Sequence, residues 1–175
     1  MITIKKPDEK PKWASPYEKQ LERYTKALEK APWLKEFQKS GIYGIFIEDK
    51  IVYIGKSKDI ARRLVQHMDE ITYEGPTNIK YTILHQAWKL GYKVGFRILT
   101  LAEGEDNLGE AEGIFIRHYL PPLNTKIPRE DDWRKTDDSP KPRLATLNNI
   151  LGLEPKPFGF DVGEKINSLE KNLLN

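Results

Sequence analysis

The apolar positions fall into blocks whose spacing changes from two to three or four along the chain. Residues 42–47 and 51–54 are β-branched and aromatic runs separated by the polar Glu48-Asp49-Lys50, which reads as a hairpin. With those three residues as the loop, Ile47 faces Ile51, Ile45 faces Tyr53 and Tyr43 faces Gly55. Opposite residues share a face, so the two tyrosines point the same way. Both strands are apolar on both faces, which predicts cover on both sides. Ile60, Leu64, Met68 and Ile71 then recur at helical spacing, opened by Asp59 or Ser57 as a cap.

Residues 76–90 predict another helix, with Ile79, Ile83, Ala87 and Leu90 inward. Residues 93–101 predict a third strand with Val94, Phe96, Ile98 and Thr100 on one face. A last core helix spans 108–120, where Pro121-Pro122 ends it, and its stripe is Leu108, Phe115, Ile116 and Tyr119. The expected fold is α/β (α+β): a small central antiparallel three-stranded sheet flanked by helices. Residues 1–39 form an N-terminal helical extension. Ser15-Pro16 opens its helix near 17–31, and Leu21, Tyr24, Leu28 and Trp33-Leu34 give it an apolar side. Residues 127–175 read as a proline-rich arm followed by short helices at 144–151 and 163–174.

Composition narrows the possibilities. The 175 residues contain no cysteine, which excludes a disulfide framework and a Cys-based zinc finger. No window approaches a membrane span and the first residues lack a signal-peptide core, so the expected location is cytoplasmic. The formal net charge is only +3, so attraction to nucleic acid has to come from local patches. One such patch is Lys56 to Arg63, where Lys56, Lys58, Arg62 and Arg63 crowd a strand-to-helix junction. A helix N-terminus already favours phosphate; the plain alternative is a solvated basic turn. Residues 1–40 hold a second excess, ten Lys or Arg against six Asp or Glu.

Three further positions carry candidate chemistry. Gly55 leaves space opposite the Tyr43 ring for a ligand to approach the backbone. Arg63 and His67 are four apart, neighbours at the border of the buried stripe. Glu112 falls in the middle of the apolar stripe of 108–120. A carboxylate there needs a cation or a metal, unless the helix is rotated so that Glu112 is exposed beside Glu110.

Gly41-Ile42-Tyr43 and Tyr53-Ile54-Gly55, Arg63 in the next helix, Glu112, and Asn124 at the end of Pro121-Pro122-Leu123-Asn124 together resemble the GIY-YIG nuclease family. Lys56, Lys58 and Asp59 resemble its excision-repair members, whereas His67 resembles its homing and restriction members. The resemblance covers roughly residues 40–126. It implies one active site that hydrolyses DNA phosphodiesters with a divalent metal, Mg²⁺ or Mn²⁺. Glu112 is then the metal ligand, and Arg63 the clamp on the scissile phosphate. Tyr43 is the family's usual general base, helped by the cation of Lys56. His67 is its rival, because a free imidazole titrates near ~6.5 and a free phenol near ~10. Tyr53 orients Tyr43 or the phosphate. Gly55, Lys58, Arg62 and Asn124 complete the substrate-binding set, with Asn124 also a candidate for fixing the loop.

The resulting expectation is a DNA endonuclease of restriction or phage type, because no long DNA-binding domain follows the core. An excision-repair or other structure-specific nuclease, or a non-catalytic nucleic-acid-binding module on the same scaffold, is the alternative. One such site cuts one strand, so a symmetric cutter requires a homodimer or two sequential nicks. Trp133, set between charges, either stacks on a base or anchors its segment to the core.

Overall fold

The computed structural model describes residues 16–76, 78–102, 107–137 and 146–154. In chain order these form α1 (Pro16–Lys30), a 3-10 helix (Pro32–Phe37), β1 (Ser40–Ile47), β2 (Lys50–Ser57), α2 (Ile60–Thr72), α3 (Ile79–Lys89), β3 (Val94–Ala102), α4 (Leu108–Tyr119) and α5 (Leu147–Leu151). The strands make one antiparallel sheet in the order β2-β1-β3. The expected three-stranded sheet flanked by helices is therefore the observed architecture. The short helix expected at 163–174 lies outside the described residues. Among the described residues no helix is long and apolar enough to cross a membrane.

Both faces of the sheet are covered, as the two-sided apolar runs require. On one face Tyr43, Ile45, Ile47 and Val52 pack with Ile60, Leu64 and Ile71 of α2, with Tyr81, Ile83, Leu84 and Ala87 of α3, and with Leu147 and Ile150 of α5. On the other face Ile42, Phe46, Ile51 and Ile54 meet Leu108, Phe115, Ile116 and Tyr119 of α4. This puts β1 at the centre of the protein and leaves β2 as an edge strand.

The hairpin register is as read for Tyr43 opposite Gly55 and Ile45 opposite Tyr53, but not at the turn. Lys50 joins β2 and pairs with Ile47, and a bulge between Ile45 and Phe46 absorbs the difference. The loop is thus Glu48-Asp49, with Glu48 at a φ of 56°. A second bulge, between Ile42 and Tyr43, shifts the pairing with β3. Thr100 consequently pairs with Ile42, which packs on the α4 face, and leaves the stripe of Val94, Phe96 and Ile98.

Two helices bury faces that differ from their expected stripes. In α2 the buried set is Ile60, Ala61, Leu64, Val65, His67 and Ile71, while Met68 is 56% exposed. In α3 the buried set is Tyr81, Ile83, Leu84 and Ala87, with Ile79 and Leu90 each 63% exposed. Asp59 caps α2 by accepting the Arg62 N–H at 2.9 Å, and Asn78 caps α3 by accepting that of Tyr81 at 3.1 Å. α2 is covered on a second side, where Ala61 and Val65 meet Tyr24 and Leu34, so its buried set is wider than one stripe facing the sheet.

α1 docks on α2. Tyr24 and Leu34 pack against Ala61 and Val65, and the Tyr24 hydroxyl donates to Asp59 at 3.0 Å. Leu21 and Trp33, expected on the apolar side, are exposed.

Candidate active site

The first half of the site is a buried column of polar rings between the sheet, α2 and α3. Tyr43 Oη lies 2.7 Å from His67 Nε2, and His67 Nδ1 lies 2.8 Å from Tyr81 Oη. Tyr43 and His67 are wholly covered. Arg63 Nε donates to Tyr43 Oη at 3.3 Å, and its Nη1 donates to Gln66 Oε1 at 2.9 Å. The Tyr43 oxygen thus accepts from Arg63, and its own proton needs an acceptor, which His67 Nε2 provides. His67 is then protonated on Nδ1 and donates to Tyr81. Burial, followed by the charges of Lys80 and Arg63, lowers the His67 pKa to about 3. Burial likewise pushes the Tyr43 phenol well above its ordinary range. The column is uncharged at neutral pH.

These positions correct two expectations. His67 is not at the border of the helix stripe but sealed, with both ring nitrogens occupied, so it reaches a ligand only through Tyr43. The space opposite Tyr43 at Gly55 is filled by the Tyr43 phenol itself. A Cβ at Gly55 would stand 2.5 Å from Tyr43 Oη and 3.0 Å from Tyr53 Cε1. Glycine is needed there to seat the ring, not to admit a ligand.

The second half lies on the α4 side of β2, because Lys56 has the parity of Ile54. Lys56 Nζ pairs with Glu112 Oε2 at 3.1 Å. The Glu112 side chain is 21% exposed, so it is neither sealed in the α4 stripe nor rotated into solvent. Lys56 was expected to assist Tyr43, yet it turns to Glu112 and lies 5.0 Å from the Trp133 ring. The indole of Trp133 rests on Gly109 of α4. That contact makes Trp133 an anchor for the 128–136 loop, which is closed by a bridge between Pro128 and Thr136.

Tyr53 joins the halves. Its ring centroid is 6.4 Å from that of Tyr43, and it lines a cleft of about 490 Å³ with Lys56, Glu112, Asn124, Lys126, Trp133 and Arg134. Burial raises the Tyr53 phenol, the Arg63 guanidinium pulls it back, and the Glu112 carboxylate raises it again. Three cations face one carboxylate in this cleft, which favours an anion.

Asn124 is built into the edge itself. Its Oδ1 accepts the Ile54 N–H at 2.8 Å, and its Nδ2 donates to the Ile54 carbonyl at 2.8 Å. Beside it the Leu123 N–H donates to the Val52 carbonyl at 2.8 Å. Asn124 thus holds the strand that carries Tyr53 and Gly55. Lys58 is exposed beyond the end of β2. Arg62 turns to α1, with its guanidinium 5.1 Å from the Tyr17 ring. Neither lines the cleft.

Similarity to a known protein agrees with this geometry. The chain is 33% identical over 95 residues to Endonuclease II of Enterobacteria phage T4, an alignment that takes in 47% of this chain and 70% of the relative. The chain belongs to the family of that endonuclease. No protein-family model and no solved structure matches it.

The motif spacing did not point to Tyr81 or Lys80. Tyr81 partners Nδ1 of His67, and Lys80 lies 4.1 Å from the Tyr53 ring. The only signal was an aromatic residue midway between Ile79 and Ile83, which the stripe of 76–90 assigns to solvent. Among the described residues Glu112 is the one acid that lines the cleft. Among the described residues no group of three or more His, Cys, Asp or Glu is placed to hold an ion. Glu112 has one oxygen on Lys56 and one left over, which suits a hard cation that keeps most of its water.

Proposed function

We propose that this protein is a divalent-metal-dependent DNA endonuclease of phage type, hydrolysing phosphodiesters by a GIY-YIG mechanism. Membership of the endonuclease II family supports the activity. The observation that supports the mechanism is that Tyr53 lines one cleft with Lys56 and Glu112, while its phenol also feels the charge of Arg63 from the ring column. Glu112 would hold Mg²⁺ or Mn²⁺. When bound, that ion supplies charge to polarise a phosphate oxygen and to acidify a coordinated water.

The chain's own groups do the rest. Arg63 offers a planar, permanently charged fork to the non-bridging phosphate oxygens as negative charge grows on them. Its direction is set by Tyr43 and Gln66, and Tyr43 in turn is held by His67 and Tyr81. Tyr43, sealed and raised in pKa, works as the positioning phenol. Tyr53, which lines the cleft, is the phenol that meets the attacking water and orients or deprotonates it. Lys56, which lines the same cleft, would serve the leaving oxygen as a proton donor or counter-charge.

The decisive experiment incubates the protein with supercoiled plasmid and Mg²⁺ or Mn²⁺, beside EDTA and a Glu112→Ala variant. Nicking is expected only with metal and with Glu112. Undiminished cutting by Glu112→Ala rejects the metal assignment. Metal-independent binding with no cutting leaves the non-catalytic module. Within the active enzyme, Tyr53→Phe is expected to lower kcat more than Tyr43→Phe, and the reverse order returns the base to Tyr43.

A further inference from the structure

Lys80 sits in the first turn of α3, outside every motif position. Its ammonium is 4.1 Å from the Tyr53 ring centroid and 4.5 Å from that of Tyr81. The side chain is half-buried. The groups that face it are Tyr53 from β2, Tyr81 from its own helix, and Arg63, His67 and Glu70 from α2. His67 is neutral, so Lys80 has Arg63 as a like-charged neighbour and Glu70 as an acid, while Tyr53 feels Arg63 on one side and Glu112 on the other. Like charges brought together in a partly dehydrated place repel, and burial and Arg63 bring Lys80 down to about 8. Held over two aromatic faces, the ammonium keeps a place near Arg63 where a bound anion would relieve the repulsion.

We propose that Lys80 is a second phosphate-binding residue of this site, gripping with Arg63 the DNA phosphodiester that lies against Tyr53. The inference rests on the nuclease reading for the identity of the anion as DNA. α3 is thereby part of the substrate surface and not only a layer of the core. Arg63 provides a directed fork and Lys80 a point charge, two different grips on one phosphate or on neighbouring ones.

The test reads Lys80 directly and without cleavage. Lysine labelled with ¹³C at Cε, its signal assigned through Lys80→Arg, is titrated between pH 6 and 11 in EDTA. The titration is repeated with a phosphorothioate oligothymidylate. An anion at Lys80 favours its charged form, so the midpoint is expected to rise by about one pH unit or more. An unmoved midpoint overturns the proposal. In plasmid nicking with Mg²⁺, Lys80→Met keeps the aliphatic stem over Tyr53 but is expected to raise KM about tenfold or more. Lys80→Arg should recover most of that loss. The wild-type kcat/KM should decline as pH rises through about 8, and Lys80→Arg should move the decline upward. Full activity in Lys80→Met refutes the role. If the midpoint shifts but the protein never nicks DNA, Lys80 stands as a phosphate ligand and the nuclease reading fails. If the protein nicks and the midpoint stays put, only the Lys80 inference falls.

Discussion

Replacing Asn124 separates a strut from a DNA ligand. Asn124 makes two hydrogen bonds of 2.8 Å to the backbone N–H and carbonyl of Ile54, a residue with no exposed surface. In Asn124→Ala both backbone groups lose their partner at the edge of β2. A hydrogen bond of this kind contributes about 1 kcal/mol net, so the pair is worth roughly 2 kcal/mol, and more where water cannot replace the side chain. For a chain of this size that is a fall in Tm of about 4–8 °C. Asn124→Asp keeps the acceptor but sets a carboxylate against the Ile54 carbonyl, so it should cost at least as much at neutral pH and less once the acid is protonated. Urea unfolding followed by circular dichroism measures the loss. Anisotropy of a labelled duplex in EDTA measures DNA affinity in parallel, under conditions where each variant is folded. The expected result is lost stability with affinity within about twofold of wild type. Full stability combined with strongly weakened DNA binding would mean that Asn124 touches DNA and does not brace β2.

Two further outcomes follow from the ring column. Gly55→Ala places a Cβ 2.5 Å from Tyr43 Oη and 2.7 Å from its Cζ, so calorimetry should show a loss of about 1–3 kcal/mol, and plasmid assays a loss of nicking; an undisturbed Tm would mean the phenol has room to move. For His67, the folded pKa of about 3 lies below the unfolded value near ~6.5, so the unfolded chain binds the extra proton between those limits. Its stabilisation is therefore whole above pH 6.5 and shrinks as pH falls toward 3, by up to about 1.4 kcal/mol per unit. Between pH 6.5 and 5 the wild type should lose about 2 kcal/mol more than His67→Gln, measured by urea unfolding at each pH, and parallel losses would show that His67 does not titrate in this way.

Local chemistry alone determined a good deal of this protein. Tyr43 opposite Gly55, Ile45 opposite Tyr53, the α4 stripe and the end of that helix at Pro121-Pro122 follow from two- and four-residue periods and from ring sterics, which neighbours in the chain settle among themselves. The order in which Tyr43, Tyr53, Arg63, His67, Glu112 and Asn124 follow one another was legible for the same reason: it is a matter of residue type and spacing. What each of them does was not. Whether His67 faces a ligand or a sealed pocket depends on the phase of α2, and Tyr81 completes that pocket from a helix whose own phase had been misjudged. Lys56 goes to Glu112 and not to Tyr43 because strand parity places it on the α4 layer, a fact that exists only once two faces are covered by different helices. Asn124 finds Ile54 seventy residues away because β2 is left as a free edge with unpaired backbone groups. Burial, partner choice and pKa are properties of the assembled layers, so only tertiary packing decided them.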